Sequence, residues 1–334
     1  MAPSRVPFRL RLARFLRGIG ERVVAAPLVL ASWVLPALPT RVAVWIASGL
    51  GFLVYAFDPR GRKAGHQNLE VAFGDELTAK ERRRILRGSY RNALTAEVLL
   101  FHLQPLTAER WRKVVKIRPE DDVRFREMMR RTPVVVFVSG HYGNWEMMLA
   151  ARTALDYAPE TAYLAESTGR PRVDALFRRL RDRGSGGAAK RKSGAMALKA
   201  AMGEKKSACL LVDRNVRGLH GGRYVPFLGL PARTTPLPAM LSRWYGVPLA
   251  VLLLLPEGRA TWRLWISPDV SVPRTDDEDA DLLAATTRMN DVISRVIREQ
   301  PEAWAWMIKR WKSRPTPELG PYPAYSLFDA DPGP

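Results

Sequence analysis

His141 and Glu146 stand five positions apart in the stretch Ser139-Gly140-His141-Tyr142-Gly143-Asn144-Trp145-Glu146. A histidine beside a carboxylate is the pairing that makes a general base: the acid fixes the ring tautomer and stabilises the imidazolium. On one continuous helix, five residues turn about 140° beyond a full revolution, so the two side chains would diverge. They can meet only if His141 lies in a turn and Glu146 in the first turn of a helix. Gly140 and Gly143 supply backbone freedom for such a bend, and Asn144 is a candidate N-cap. Free amides at a helix N-terminus favour negative charge, such as an oxyanion or a phosphate. The competing reading is a capping Asn, a solvated Glu and a chance polar His, which is the usual fate of a lone histidine.

The elements that must hold these residues favour chemistry. Pro133-Val134-Val135-Val136-Phe137-Val138 is short, apolar and β-branched, the pattern of a buried strand that the Ser-Gly pair ends. Met147-Met148-Leu149-Ala150-Ala151-Arg152 are good helix formers. The motif therefore falls at the carboxyl end of a strand, where open α/β folds build their sites. From Thr132 onward strands and helices alternate, which signals an α/β layer fold. Expected strands are Val134–Val138, Thr161–Leu164, Ala208–Val212, Arg223–Phe227, Pro248–Leu255 and Thr261–Ile266. Expected helices include Glu146–Leu155, Arg172–Arg183, Gly194–Met202 and Thr235–Tyr245, with a last helix opened by Thr275-Asp276-Asp277-Glu278-Asp279. Asp213-Arg214-Asn215 follows another apolar run, so Asp213 is a candidate on the same rim as His141, against the plainer reading of a turn.

The chain has 334 residues and a formal net charge of +20, which favours anionic partners. Anionic lipid or an acidic carrier protein fits better than nucleic acid, because no helix-turn-helix, zinc finger or aromatic RNA-binding pattern occurs. A single Cys209 excludes an internal disulfide and suits a buried strand position. The four histidines show no close His/Cys pairing, so no zinc site is expected; no other metal and no bound cofactor are expected either. His66 and His102 read as surface or packing residues.

Residues 1–22 carry six arginines and one Glu. Val23 to Phe57 then runs with one charge, Arg41, in two apolar halves, Val23–Leu38 and Val42–Phe57. Each half is short for a straight span of about 20 residues. Basic residues flank both sides, which suits a hairpin dipping into one leaflet with both ends cytoplasmic. A single tilted span and a buried hairpin of a soluble domain are the competitors. Four regions follow: a basic, apolar membrane-anchoring segment over 1–60, a helical region over 61–130, an α/β core over 131–315 and an irregular tail over 316–334. Thr78 is expected to cap a helix running to about Leu103. The basic run Arg170 to Lys192 reads as a phosphate-binding or carrier-docking face, with Arg179 and Arg181 as candidate contacts, or as a merely solvated helix. Near the C-terminus, tryptophans interleave with Lys309, Arg310 and Lys312. That pattern suits an interface or phosphates, with Arg310 as a candidate contact, and also plain packing.

His141 to Glu146, as His-Tyr-Gly-Asn-Trp-Glu, resembles the His-x4-Asp/Glu motif of glycerolipid acyltransferases, and its filling is closest to bacterial lipid A biosynthesis (lauroyl/myristoyl) acyltransferases. The resemblance extends through Asn68-Leu69, Ala72-Phe73, Asp213-Arg214-Asn215, Val225-Pro226-Phe227, Thr234-Thr235, Pro301-Glu302-Ala303-Trp304 and Lys309–Pro315. The order and spacing of these segments carry it, since no one of them is decisive. It implies a mixed sheet flanked by helices, as in the glycerolipid acyltransferases, with an N-terminal membrane-associated helical segment at the cytoplasmic face of the inner membrane. It further implies transfer of a fatty acyl group from acyl carrier protein or coenzyme A to a hydroxyl of a lipid A-type glycolipid or lysolipid. His141 and Glu146 would be its catalytic pair. The chain departs from the family at Asp213-Arg214, where Asp-Gln or Asp-His is common.

The mechanism expected is direct attack of a hydroxyl deprotonated by neutral His141, with Glu146 orienting the ring and Asn144 near the oxyanion. Two other classes stand beside it. One is a lipid hydrolase or transacylase using Ser139, although no Gly-x-Ser-x-Gly elbow occurs. The other is a non-catalytic basic membrane-binding protein.

Overall fold

The computed structural model describes residues 25–102, 107–157, 160–165, 168–182, 188–190, 194–216 and 221–330. The arginine cluster expected before residue 23 and the Gly184–Gly187 loop lie outside these residues. The chain opens with two apolar helices, α1 (Ala25–Ala37) and α2 (Thr40–Phe57), parted by Leu38 and Pro39. Then come α3 (Pro59–Phe73), α4 (Ala79–His102), α5 (Ala108–Val114), the short strand β1 (Val115–Lys116) and α6 (Pro119–Arg131). The central layer follows: β2 (Val136–Ser139), α7 (Met148–Ala154), β3 (Thr161–Ala165), α8 (Pro171–Asp182), β4 (Ala188–Lys190), α9 (Gly194–Gly203) and β5 (Ser207–Leu211). The hairpin β6 (Arg223–Phe227) and β7 (Leu230–Thr234) precedes α10 (Leu237–Tyr245), β8 (Leu249–Pro256), β9 (Trp262–Ile266) and α11 (Glu278–Glu299). Last are β10 (Ser313–Arg314) and β11 (Leu327–Phe328).

Seven strands form one mixed sheet in the order β1-β9-β8-β2-β5-β3-β4. All neighbours are parallel except β8 with β9. The central strands β2, β5 and β8 are apolar except at Ser139 and Ser207, because both faces are covered. Their period of two divides the core between the faces. Val136, Val138, Ala208, Leu210, Leu249, Val251 and Leu253 pack on one side with α11 and the C-terminal tryptophans. Val135, Phe137, Cys209, Ala250, Leu252 and Leu254 pack on the other with α4, α5 and α6. Burial pushes the Cys209 thiol up to about 12, as expected of an inert strand position.

Two expectations about the periphery change. The helical region over 61–130 contributes β1, which pairs with β9 at the sheet edge. The expected irregular tail returns to the body: β11 pairs with β10, and Tyr322 is buried with its hydroxyl donating to the Pro231 carbonyl at 3.1 Å. Both strands are two residues long, too short to leave a periodic signal.

The long helix α4 holds the N-terminal pair to the core. Its start is a reciprocal cap: the Thr78 amide donates to Glu81 at 2.8 Å and the Glu81 amide to Thr78 Oγ1 at 3.3 Å. Ala43, Ala47 and Gly51 form one stripe on α2, and a Cβ on Gly51 would lie 2.7 Å from the Arg91 Cα on α4. At the other end His102 bonds the Leu35 carbonyl at 2.7 Å and Thr40 Oγ1 at 3.1 Å. α2 and α4 are therefore antiparallel, and His102 is a packing residue. From the same helix Asn92 Nδ2 donates to the Gly143 carbonyl at 2.9 Å and the Ala303 carbonyl at 2.8 Å.

Gly143 has φ +59°, and a Cβ there would stand 2.1 Å from the Leu254 carbonyl oxygen. Gly143→Ala should combine left-handed strain of about 1–2 kcal/mol with loss of this close approach, for a total near ~3 kcal/mol. Thermal unfolding should show a fall of roughly 6–12 °C, at about 2–4 °C per kcal/mol for a chain of this size. An unchanged transition would contradict the close approach.

Candidate active site

The central pair follows from strand register. β2 and β5 are adjacent and parallel, with Ser139 opposite Leu211. Two residues beyond each lie His141 and Asp213, so both chains leave the sheet side by side at its carboxyl edge. Gly140 keeps the approach open, since a Cβ there would sit 2.9 Å from Asp213 Oδ2. His141 Nδ1 lies 2.8 Å from Asp213 Oδ1, and the His141 amide donates to Asp213 Oδ2 at 2.6 Å. The indole N–H of Trp304 donates to the same Oδ2 at 2.8 Å. Asp213 is fully buried, whereas the His141 side chain is 22% exposed.

Burial works to raise the Asp213 carboxyl. The His141 charge and the bonds from the His141 ring, Trp304 and the His141 amide outweigh it and hold the group below its usual range. An ionised Asp213 accepts a hydrogen bond from Nδ1–H, which leaves the lone pair on Nε2. The ring is thereby set in the tautomer of a general base, and an imidazolium would be stabilised in place. Trp145 packs against the ring with centroids 5.4 Å apart.

This geometry changes the expected partner of the histidine. Glu146 gives its carboxylate to Arg181 of α8 in a two-point pair, Nε to Oε2 at 2.6 Å and Nη2 to Oε1 at 2.7 Å. Asp213, expected only to share the rim, is the acid that orients His141. The register of two strands set this pairing, whereas the spacing within the motif had suggested Glu146.

Asn144 also differs from expectation. The helix after the turn starts at Met148, and Asn144 lies in the preceding turn rather than at a cap. Its side-chain amide is enclosed and has no hydrogen-bond partner among the described residues. The backbone amides of Gly143 and Asn144 are already engaged, donating to the Ala303 and Leu254 carbonyls at 2.9 Å each. The side chain of Asn144 is thus the uncommitted polar group of the turn.

The basic candidates separate. Arg181 reaches the site through Glu146. Arg179, two positions away and so on the opposite face of α8, is exposed. Arg310 is buried and is not at a substrate-facing surface. Its Nη1 donates to the Arg233 carbonyl at 2.8 Å, Nη2 bonds Thr234 Oγ1, and its guanidinium lies over Phe227 at 4.7 Å. Burial pushes it down to about 10 while the nearby Asp213 charge works the other way. It contributes positive field behind Asp213 rather than a substrate contact.

Trp304 is the site residue that sequence reasoning missed in this role. Its signal was present in Pro301-Glu302-Ala303-Trp304, but only the fold shows its indole aimed at Asp213. Trp304 and Trp306 stack edge to face at 4.6 Å, and Phe227 lies 5.5 Å from Trp304. Asn215, beside the acid, bonds Ser313 in both directions at 3.0 Å and so ties the C-terminal segment to the rim.

Comparison with known proteins fits this arrangement. The profile of bacterial lipid A biosynthesis acyltransferases matches residues 22–313. The chain is 26% identical over 299 residues to the lipid A biosynthesis palmitoleoyltransferase of Escherichia coli (strain K12), covering 87% of this chain and 91% of that protein. It is 25% identical over 289 residues to the lauroyltransferase of the same organism, covering 85% and 89%. It is 24% identical over 287 residues to the myristoyltransferase, covering 85% of each. With its mixed α/β sheet and a match over most of its length, this chain belongs to the bacterial lipid A biosynthesis acyltransferase family and is an acyltransferase.

Proposed function

We propose that the protein moves a fatty acyl group from an acyl carrier protein or coenzyme A thioester to a hydroxyl of a lipid A-type glycolipid, at the cytoplasmic face of the inner membrane. The observation that carries the reading is the 2.8 Å contact of His141 Nδ1 with buried Asp213 at the carboxyl edge of the sheet. Nε2 of His141 takes the proton of the acceptor hydroxyl as its oxygen attacks the thioester carbon. The tetrahedral intermediate collapses with cleavage of the C–S bond, and the imidazolium returns the proton to the departing thiolate. Asp213 stays ionised throughout and stabilises the imidazolium. Asn144 is the donor proposed for the oxyanion, supported by its uncommitted side chain. Glu146 ties the catalytic turn to α8 through Arg181.

A covalent route through Ser139 is less well supported. Its hydroxyl is buried at the end of β2 and makes no hydrogen bond to His141. Phosphate-rich acceptors and acidic carriers both suit a chain of net charge +20.

The membrane reading rests on the N-terminal helices. Opposite the stripe packed on α4, α2 exposes Val42, Trp45, Phe52, Leu53 and Phe57, and α1 exposes Val29, Leu30, Trp33 and Val34. α2 is the one helix among the described residues long and apolar enough to cross a bilayer. Yet α4, with exposed arginines at 83, 84, 87 and 91, lies along it. Such a helix cannot be surrounded by lipid, so a pair seated in one leaflet is favoured over a full span.

Acyl transfer to a lipid A precursor, assayed with acyl carrier protein and coenzyme A thioesters in turn, tests the chemistry. His141→Ala and Asp213→Asn should each lower kcat by roughly 10²–10⁴-fold. Glu146→Gln should cost about 10–10²-fold through a displaced turn. A near-normal rate for Asp213→Asn would sink the assignment of the ring's partner. Sedimentation with anionic vesicles tests the seat: Trp45→Glu with Phe52→Glu should abolish binding while the far-ultraviolet circular dichroism stays unchanged. Retained binding would exclude these helices as the membrane contact.

A further inference from the structure

His141 and Trp304 reach Asp213 from two segments that hold each other by very little. The Ala305 amide donates to the His141 carbonyl at 3.0 Å and the Gly143 amide to the Ala303 carbonyl at 2.9 Å, with Tyr142 opposite Trp304 between them. So short an antiparallel ladder is marginal on its own. Its register matters, because a slip of one residue turns every side chain of a strand to the opposite face. One oxygen of Asp213, Oδ2, takes both the Trp304 indole and the His141 amide. A slipped segment would carry the indole away from it.

One turn of α4 grips both sides of this ladder. Ser89 and Asn92 are three residues apart and so share a face of the helix. Asn92 Nδ2 donates to the Gly143 carbonyl at 2.9 Å and the Ala303 carbonyl at 2.8 Å, one from each segment. Ser89 is fully buried, and its hydroxyl donates to the Trp304 carbonyl and accepts from the Trp306 amide at 3.0 Å. Buried polar side chains committed in this way to backbone groups of a distant segment mark its position residue by residue.

The gripping turn is itself fixed. Gly88 lets it come close, since a Cβ there would lie 2.7 Å from the Glu302 Cβ. The Tyr90 hydroxyl donates to Asp58 Oδ2 at 2.7 Å, and the backbone at Arg91 lies against Gly51 of α2. The turn therefore cannot slide along α2 without breaking these contacts.

We propose that Ser89 and Asn92 are positioning residues for acyl transfer: they fix the register of segment 303–306 against the turn 141–143, and so keep the His141 ring and the Trp304 indole on Asp213 together. The inference rests on the reading above, in which Asp213 orients His141 as the base. It assigns neither residue a contact with substrate, and each acts through the backbone of its partners.

The test measures acyl transfer by the full-length wild type, Asn92→Leu, Ser89→Ala, Asp213→Asn and the double variant of Asn92→Leu with Asp213→Asn, each rate corrected for the folded fraction seen in thermal unfolding. Leucine has nearly the shape of asparagine and no donor. Asn92→Leu and Ser89→Ala should each lower kcat by roughly 10–10²-fold with KM within about two-fold of wild type, the effect of a displacement near ~1 Å in the catalytic group. Because both act through the contact of Asp213 with His141, the double variant should be no slower than Asp213→Asn. A purely structural role would lower the melting temperature and leave the corrected kcat unchanged. That outcome, with Asp213→Asn slow, overturns the inference alone. So does a double variant whose loss is the full product of the two single losses, or a loss carried by KM. An Asp213→Asn enzyme near the wild-type rate overturns the reading beneath. Should Asn92→Leu not fold, Ser89→Ala and its double with Asp213→Asn carry the same comparison, with the same outcomes deciding it.

Discussion

A carboxylate with no solvent of its own governs this site. Asp213 is buried, and three donors from two distant parts of the chain hold it: the His141 amide and ring, and the indole of Trp304. Buried charge is tolerated only with such partners, so the acid constrains everything around it. It demands that β2 and β5 be neighbours in one register, that Gly140 have no side chain, and that the C-terminal segment return to the rim. The extended pairing of Tyr142 with Trp304, and the bond from the Ala305 amide to the His141 carbonyl at 3.0 Å, fasten that return to the turn that carries His141.

The aromatic cage behind Asp213 has a related purpose. Buried Arg310 lies over Phe227, which packs against Trp304 and Trp311, and its charge reaches Asp213 without touching it. A low-dielectric wall strengthens the field of that cation at the acid. The tryptophans and Arg310, which look interfacial in the sequence, thus face inward, whereas Lys309 and Lys312 are exposed.

The sequence reveals the fold to the extent that apolar runs reveal it. The central strands and the helices between them lie within a residue or two of their expected places, because both faces of the sheet are buried and the runs are unbroken. β1, β4, β10 and β11 were not legible, since two or three residues cannot show a period, and β7, whose Leu230-Pro231-Ala232-Arg233-Thr234 shows no clean alternation, was not expected either. Within the site, His141 was legible from its place after a strand and between glycines. The identity of its acid was not, because register between strands seventy residues apart leaves no trace in either strand. Nor could the partner of Glu146 be read: Arg178, Arg179 and Arg181 look alike in one basic run, and only helix phase and the position of α8 distinguish them. Asn68, quoted above as part of a family segment, proves to be an inward-facing clamp, donating to the Trp306 and Ile308 carbonyls at 2.8 and 2.7 Å.

The helix α4 touches both ends of this system. One flank carries the apolar pair α1 and α2; another carries Asn92, whose amide grips the carbonyls of Gly143, in the turn that carries His141, and of Ala303. Spanning 24 residues, it is about 36 Å long and stiff over that length. Where α2 rests on a lipid surface, the height of the His141 ring above that surface is then set by the body of a single helix. With the helix pair seated as proposed, α4 would act as a depth gauge, and an acceptor hydroxyl would be selected by how far it stands from the hydrocarbon as well as by its chemical surroundings.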